Sequence, residues 1–315
     1  MRRRAISSAS LLAGAALLLA GCGSSGSATS SSSPGALPQV NGAFGATPTV
    51  KLAGGTAPTQ LKTKVLIKGN GPVVAKGETV VANYVGELWK NGKVFDSSFS
   101  RHQPVAFQIG TGQVIPGWDK AVVGQTAGSR ILMVIPPADG YGSQGQSQAG
   151  ISGTDTLVFV VDLIQAFGAN ASAHGTPAAP VASTLPKVST APGRPTVTLP
   201  KTAAPTKLVA VTVVVGTGPV VKKGQQIVVQ YVGMLWKNGK VFDSSWQRGQ
   251  PAAFTIGVGQ VIKGWDTGLL GKTVGSRVLL VLPPAQGYGS AGQTQAGITG
   301  KDTLVFAVDL LAAIG

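Results

Sequence analysis

Five aromatic positions recur at one fixed spacing along this chain. Tyr84 and Tyr231, Phe95 and Phe242, Trp118 and Trp265, Tyr141 and Tyr288, and Phe159 and Phe306 are each 147 residues apart. Such an offset leaves no room for insertions inside the repeated unit. Between Tyr84–Arg101 and Tyr231–Arg248 only Glu87/Met234, Phe99/Trp246 and Ser100/Gln247 differ, so 15 of 18 positions are identical. A period of 147 is a domain length, far beyond the roughly 20–50 residues of a solenoid repeat. The chain is therefore read as two copies of one folded unit, which suits 315 residues.

Within each copy the pattern is strand-like. Residues 80–85 and 227–232 are rich in β-branched side chains, and Asn91-Gly92 and Asn238-Gly239 signal hairpin turns before Val94-Phe95 and Val241-Phe242. Residues 130–135 and 157–163, with counterparts at 277–282 and 304–310, predict further strands. A helix is expected only at 117–123 and 264–270. One short helix against an antiparallel sheet defines an α+β fold. Pro136-Pro137 and Pro283-Pro284 end a strand and open a Gly/Gln-rich loop, the kind of irregular segment that carries function.

The formal charge of +15 raises the question of nucleic acid, and its distribution answers it. Residues 1–60 and 168–205 carry seven basic and no acidic residues, whereas 61–167 has nine and seven and 206–315 has ten and four. No Lys/Arg run that would track phosphates lies in either repeat, so no nucleic-acid partner is expected. From Gly23 to about Pro58, and again from 168 to 205, Ser, Gly, Ala, Thr and Pro dominate; this predicts a disordered tether over 22–60 and an extended Pro-rich interdomain linker over 168–205. Folded domains are expected at 61–167 and 206–315.

Arg2 to Arg4 precede a ten-residue apolar run, Leu11 to Ala20, which is too short to span a bilayer. The run ends in Leu19-Ala20-Gly21-Cys22, which resembles a bacterial lipobox, and Cys22 is the only cysteine. That resemblance implies a signal peptide over 1–21, lipidation of Cys22, and a membrane-anchored location on the extracytoplasmic face. Several acyl chains give stable anchoring where one would not. A single cysteine also leaves both domains without disulfides.

The blocks Tyr84-Val85-Gly86, Gly92 to Ser98, Val114 to Asp119, Tyr141-Gly142 and Thr156 to Phe159 resemble those of FKBP-type peptidyl-prolyl cis/trans isomerases. The second unit repeats them at Tyr231, Gly239 to Ser245, Val261 to Asp266, Tyr288-Gly289 and Thr303 to Phe306. Each block is ordinary alone; five in order, twice, are specific. The resemblance implies an antiparallel sheet wrapped around one short helix, with a shallow aromatic pocket between them. Its first pocket would be lined by Tyr84, Phe95, Asp96, Arg101, Val114, Ile115, Trp118, Tyr141, Ile151 and Phe159. Its second would use Tyr231, Phe242, Asp243, Arg248, Val261, Ile262, Trp265, Tyr288, Ile298 and Phe306. Trp118 and Trp265 would form the floors, and Phe107 and Phe254 are read as core. Val105 and Ala252 stand where the family often has Phe, and the Pro pair that often precedes the Thr-Leu-Val-Phe strand is missing.

The activity so implied is rotation about Xaa-Pro bonds of exported polypeptides, with macrolides of the family's kind as inhibitors. That chemistry requires no nucleophile, cofactor or metal. His102 and His174, the only histidines, have no counterparts in the opposite repeat. Tyr141 and Tyr288 would donate a hydrogen bond to the substrate carbonyl, Asp96 and Asp243 would orient polar groups, and Arg101 and Arg248 would pair with those carboxylates. The alternative function is a non-catalytic chaperone or scaffold that grips proline-containing segments without turning them over.

Overall fold

The computed structural model describes residues 35–315; the expected export signal and Cys22 lie outside them. Among the described residues no helix is long and apolar enough to cross a membrane. The chain opens with a short hairpin, β1 (Gln39–Asn41) and β2 (Thr49–Lys51). The first domain follows: β3 (Lys62–Ile67), β4 (Thr79–Leu88), β5 (Val94–Ser97), β6 (Val105–Gln108), α1 (Pro116–Val122), β7 (Arg130–Ile135) and β8 (Leu157–Phe167). Its antiparallel sheet runs β3-β7-β8-β4-β5, with β6 pairing the other end of β4. The register of β4 on β8 slips between Val81 and Ala82. Such a bulge bends a strand and lets it serve two neighbours on one side. Gly92 turns the β4–β5 hairpin at φ 67°, where a Cβ would be strained, and the Asn91 side chain accepts from Lys93 N at 3.1 Å.

Alternation divides each strand between two faces. Val80, Leu88, Ile131, Met133, Ile135, Leu157, Phe159 and Val161 face α1 and form the main core with Trp118 and Val122. Leu132, Val134, Val158 and Val160 face the other way and are fully buried too.

What buries that second face is the stretch expected to be a disordered tether. Leu37, Val40, Val50, Leu52 and Ala57 lie over it, together with Trp89. Asp162 and Arg130 sit directly opposite each other on β8 and β7, each only 1% exposed. Arg130 donates to both Asp162 oxygens at 2.6 and 2.7 Å, to Gly42 O at 2.8 Å and to Ala46 O at 2.6 Å. Gly45 N completes the network by donating to Asp162 at 2.7 Å. Residues 37–57 thus form a strap clamped by an internal ion pair.

The second domain repeats this arrangement. After β9 (Thr176–Pro177) come the hairpin β10 (Lys187–Val188) and β11 (Val197–Thr198), then β12 (Val209–Val215), β13 (Gln226–Leu235), β14 (Val241–Ser244), a single turn α2 (Ser245–Arg248), β15 (Ala252–Thr255), α3 (Lys263–Gly268), β16 (Arg277–Leu282) and β17 (Leu304–Ile314). The sheet order is β14-β13-β17-β16-β12-β9, with β15 on β13. Here the strap is drawn from the segment read as an interdomain linker: Leu185, Val188, Val197 and Leu199 cover Leu279, Val281 and Val305. Arg277 pairs with Asp309 at 2.6 Å and donates to Ser189 O, Ala191 O and Gly193 O. The repeated unit therefore starts earlier than the aromatic spacing indicates. Leu37-Pro38-Gln39-Val40 matches Leu185-Pro186-Lys187-Val188, and Pro48-Thr49-Val50-Lys51-Leu52 matches Pro195-Thr196-Val197-Thr198-Leu199, with one residue fewer between the two blocks in the second copy.

Candidate active site

Each domain holds an open cavity between its helix and the concave face of its sheet, of about 770 Å³ in the first and about 400 Å³ in the second. The floor of each is an indole carried by the short helix. Trp118 is 5% and Trp265 4% exposed, and three aromatic rings approach each of them. Tyr84, Phe107 and Phe159 lie 5.5, 5.1 and 5.3 Å from Trp118 at 78–89°. Tyr231, Phe254 and Phe306 lie 5.3–5.4 Å from Trp265 at 80–89°. Edge-to-face contacts of this kind are worth about 0.5–1.5 kcal/mol each beyond burial and fix ring orientation. Phe95 adds a fourth ring at 5.4 Å from Phe159. Both rings close over Gly86, where an added Cβ would stand 2.6 Å from Phe95 and 2.8 Å from Phe159; Gly233 sits likewise under Phe242 and Phe306.

A polar cluster marks one wall. The Tyr84 hydroxyl donates to Asp96, Arg101 pairs with Asp96, and Arg101 also donates to the Tyr84 oxygen at 3.1 Å. Tyr231, Asp243 and Arg248 repeat the triangle, with Arg248 donating to Tyr231 at 2.8 Å. The guanidiniums also lie over the tyrosine rings, 5.9 and 5.4 Å from their centroids. Burial would raise the Asp96 pKa, but the hydrogen bonds from Tyr84 and Arg101 and the nearby guanidinium charge outweigh it and hold the carboxyl below its usual range. Burial, then the bond to Asp96, pushes the Tyr84 phenol up to about 12; the same causes raise Tyr231. Tyr141 and Tyr288 are raised by burial and by the carboxylate charge of Asp96 or Asp243. All four phenols thus stay protonated, as donors, at neutral pH. Asp119 and Asp266 hold the loops below the cavities, each accepting two backbone N–H groups at 2.6–2.7 Å.

The structure brings most of the expected residues together. Tyr84, Phe95, Asp96, Val114, Ile115, Trp118, Tyr141 and Phe159 line the first cavity, and Tyr231, Phe242, Asp243, Val261, Ile262, Trp265, Tyr288 and Phe306 line the second. Arg101 and Arg248 stand behind the carboxylates rather than on the lining. Ile151 and Ile298 belong to the cores; each is bonded through its backbone to Gln146 or Gln293 and closes the Gly/Gln loop. Phe107 and Phe254, read as core, line the cavities. Gln113, Gln146 and Gln148 in the first and Gln260 in the second are further lining residues. Phe107 and Phe254 had a legible signal: a single aromatic in an alternating edge strand, at the same offset as the other five. No group of three or more metal-ligating side chains occurs among the described residues.

The family model described as FKBP-type peptidyl-prolyl cis-trans isomerase matches residues 71–164 and 218–311. The chain belongs to this family. An FK506-binding protein of Streptomyces anulatus is 42% identical over 117 residues, which is 37% of this chain and 94% of that protein. Peptidyl-prolyl cis-trans isomerase FKBP9 of Homo sapiens is 29% identical over 258 residues, 81% of this chain; the chain spans only 38% of that relative's length. Among solved structures, FkpA from Escherichia coli is 40% identical, covering 34% of this chain and 48% of that one, with a TM-score of 0.32. Each matched stretch is one FKBP domain, and each carries one of the two cavities.

Proposed function

We propose that both FKBP domains catalyse cis/trans isomerisation of Xaa-Pro bonds in exported polypeptides, on a protein held at the extracytoplasmic face of the membrane by lipid on Cys22. The observation that carries this is the pair of open cavities floored by Trp118 and Trp265. Rotation about a peptide bond costs about 18–20 kcal/mol because the twisting amide loses resonance. The twisted imide has less charge separation than the planar one, so a water-poor aromatic cup favours it over the ground state. The proline ring rests on the indole. Tyr141 or Tyr288 donates to the substrate carbonyl, while Asp96 or Asp243, fixed by its Tyr and Arg partners, faces the polar side of the rotating bond. No proton is transferred and no covalent intermediate forms.

The relative named for FK506 motivates a further part of the proposal: macrolides of that class compete for the same cavities. The aliphatic Val105, on the lining of the first, gives them less aromatic contact than a Phe there would. Proline-limited refolding assayed with the full chain tests the proposal. Replacing Trp118 and Trp265 by Leu together should abolish acceleration, and acceleration that survives the double replacement would refute it. Binding of a Xaa-Pro peptide without any acceleration would instead select the alternative function, a proline-binding scaffold.

A further inference from the structure

The two FKBP domains meet through the same face. Val81, Ala106, Ile164 and Phe167 of the first domain share one apolar cluster with Ala253, Leu311 and Ile314 of the second and with Val228. Val81 and Val228, Ala106 and Ala253, Ile164 and Leu311, and Phe167 and Ile314 are each 147 residues apart, so four equivalent pairs meet. Contact between equivalent patches is the signature of a two-fold, self-complementary interface. The Gln103 amide reinforces it by donating to the Thr255 hydroxyl across the junction.

The connection between the domains is equally tight. Phe167 ends β8 inside the shared cluster, and Ala169 O already accepts from the fully buried Gln230 at 2.7 Å. Ala173 N donates to Asp309 at 3.0 Å, His174 N to Gly275 O at 3.1 Å, and Thr176–Pro177 pairs with Val214–Val215. Only Gly168 lies between the last residue of one domain and the first anchor on the other. The chain thus lacks the long free connection that would let its domains tumble independently.

The wall strands β6 and β15 link this junction to the cavities. Phe107 and Phe254 reach the floor tryptophans, while their neighbours Ala106 and Ala253 enter the shared cluster. Each cavity therefore flanks the junction across a single strand.

We propose that this junction holds the two cavities at one fixed separation, so that the protein clamps a single extended polypeptide at two proline-containing segments. The proposal rests on both cavities accepting such segments. Rigid pairing makes the second binding event intramolecular, at an effective concentration that peaks when the intervening chain matches the span and falls on either side.

Titration of the full chain with a peptide bearing one Leu-Pro segment, then with peptides bearing two joined by Gly-Ser spacers of graded length, tests it. The one-segment peptide should bind at two sites. Two-segment peptides should gain about tenfold or more in affinity at one spacer length and lose that gain with shorter and much longer spacers. Trp265→Leu should remove the gain. Val81→Asp with Val228→Asp should keep one-segment affinity but flatten the length dependence; if that chain does not fold, Gln103→Ala with Thr255→Ala takes its place with a smaller flattening expected. Two-site binding of the one-segment peptide with a gain of about twofold or less at every length would overturn the clamp and leave the proposed function intact. Failure of the one-segment peptide to bind would overturn both.

Discussion

Replacing Arg130 by Met would isolate the contribution of the first strap. The guanidinium is 1% exposed and makes four hydrogen bonds, two to Asp162 and two to strap carbonyls. Met retains most of the aliphatic volume, so the loss is mainly electrostatic. It leaves the Asp162 carboxylate buried with Gly45 N as its remaining donor from the strap and frees Gly42 O and Ala46 O. Breaking a buried pair by removing one partner costs about 3–5 kcal/mol, a large fraction of the roughly 5–15 kcal/mol by which a domain is stable. Urea unfolding followed by tryptophan fluorescence measures the loss, and amide exchange at Gly45 should accelerate in parallel. Arg130→Met with Asp162→Leu removes both charges and should recover much of the loss, because well-packed apolar groups can replace a buried pair at little cost. A loss below about 1 kcal/mol for Arg130→Met would show that the strap is not held through the pair and would refute the reasoning.

Gly86→Ala would force a methyl to within 2.6 Å of Phe95 and 2.8 Å of Phe159; overpacking of this kind costs about 1–3 kcal/mol, and first-domain isomerisation measured in a Trp265→Leu background should fall with it. His102, at φ 50°, is the only non-glycine residue with positive φ among those described, and its counterpart Gly249 has φ 70°. His102→Gly should therefore stabilise the protein by up to about 1 kcal/mol in thermal unfolding, through relief of backbone strain. Tyr84→Phe removes the hydroxyl that donates to Asp96 and accepts from Arg101 and should lower first-domain turnover several-fold with little change in fold by circular dichroism. Because the folded-state pKa of Asp96 is depressed, the support its cluster gives is present above the ordinary carboxylate range and is lost only as pH falls through the lowered value. With Tyr84 at about 12, turnover should be flat across neutral pH and drop in acid; a midpoint near neutrality in a pH–rate profile would contradict this.

The α+β class was legible because it rests on local chemistry, whereas the aromatic pockets were implied only by the resemblance of the five ordered blocks. β-branched runs, Asn-Gly turns and a single helix fix the sheet, and a shared aromatic spacing of 147 fixes the duplication. The straps were not legible, because Ala, Gly, Thr and Pro dominate residues 35–57 and 168–205 and composition alone speaks for disorder. The contrary signal lay in the strands. Residues 131–135 and 157–161 are continuously apolar rather than alternating, and a sheet with two apolar faces needs cover on both. The short Leu-Pro-x-Val and Pro-Thr-Val-x-Leu blocks then named the cover. Ile151 and Ile298 were misplaced because motif matching gives position along the chain but not side-chain direction. Here the backbone of each pins a loop while the side chain enters the core.

On the proposal of a lipid anchor at Cys22, the first strap also sets how far the protein could stand from the membrane. With lipid on Cys22, as proposed, only fourteen residues separate the anchor from Leu37, which already lies on the first sheet. Fully extended, they span no more than about 50 Å, against about 130 Å had the chain stayed free as far as residue 60. Both catalytic cups would then work within a shallow layer over the lipid headgroups, meeting chains as they leave the bilayer rather than those already dispersed beyond it.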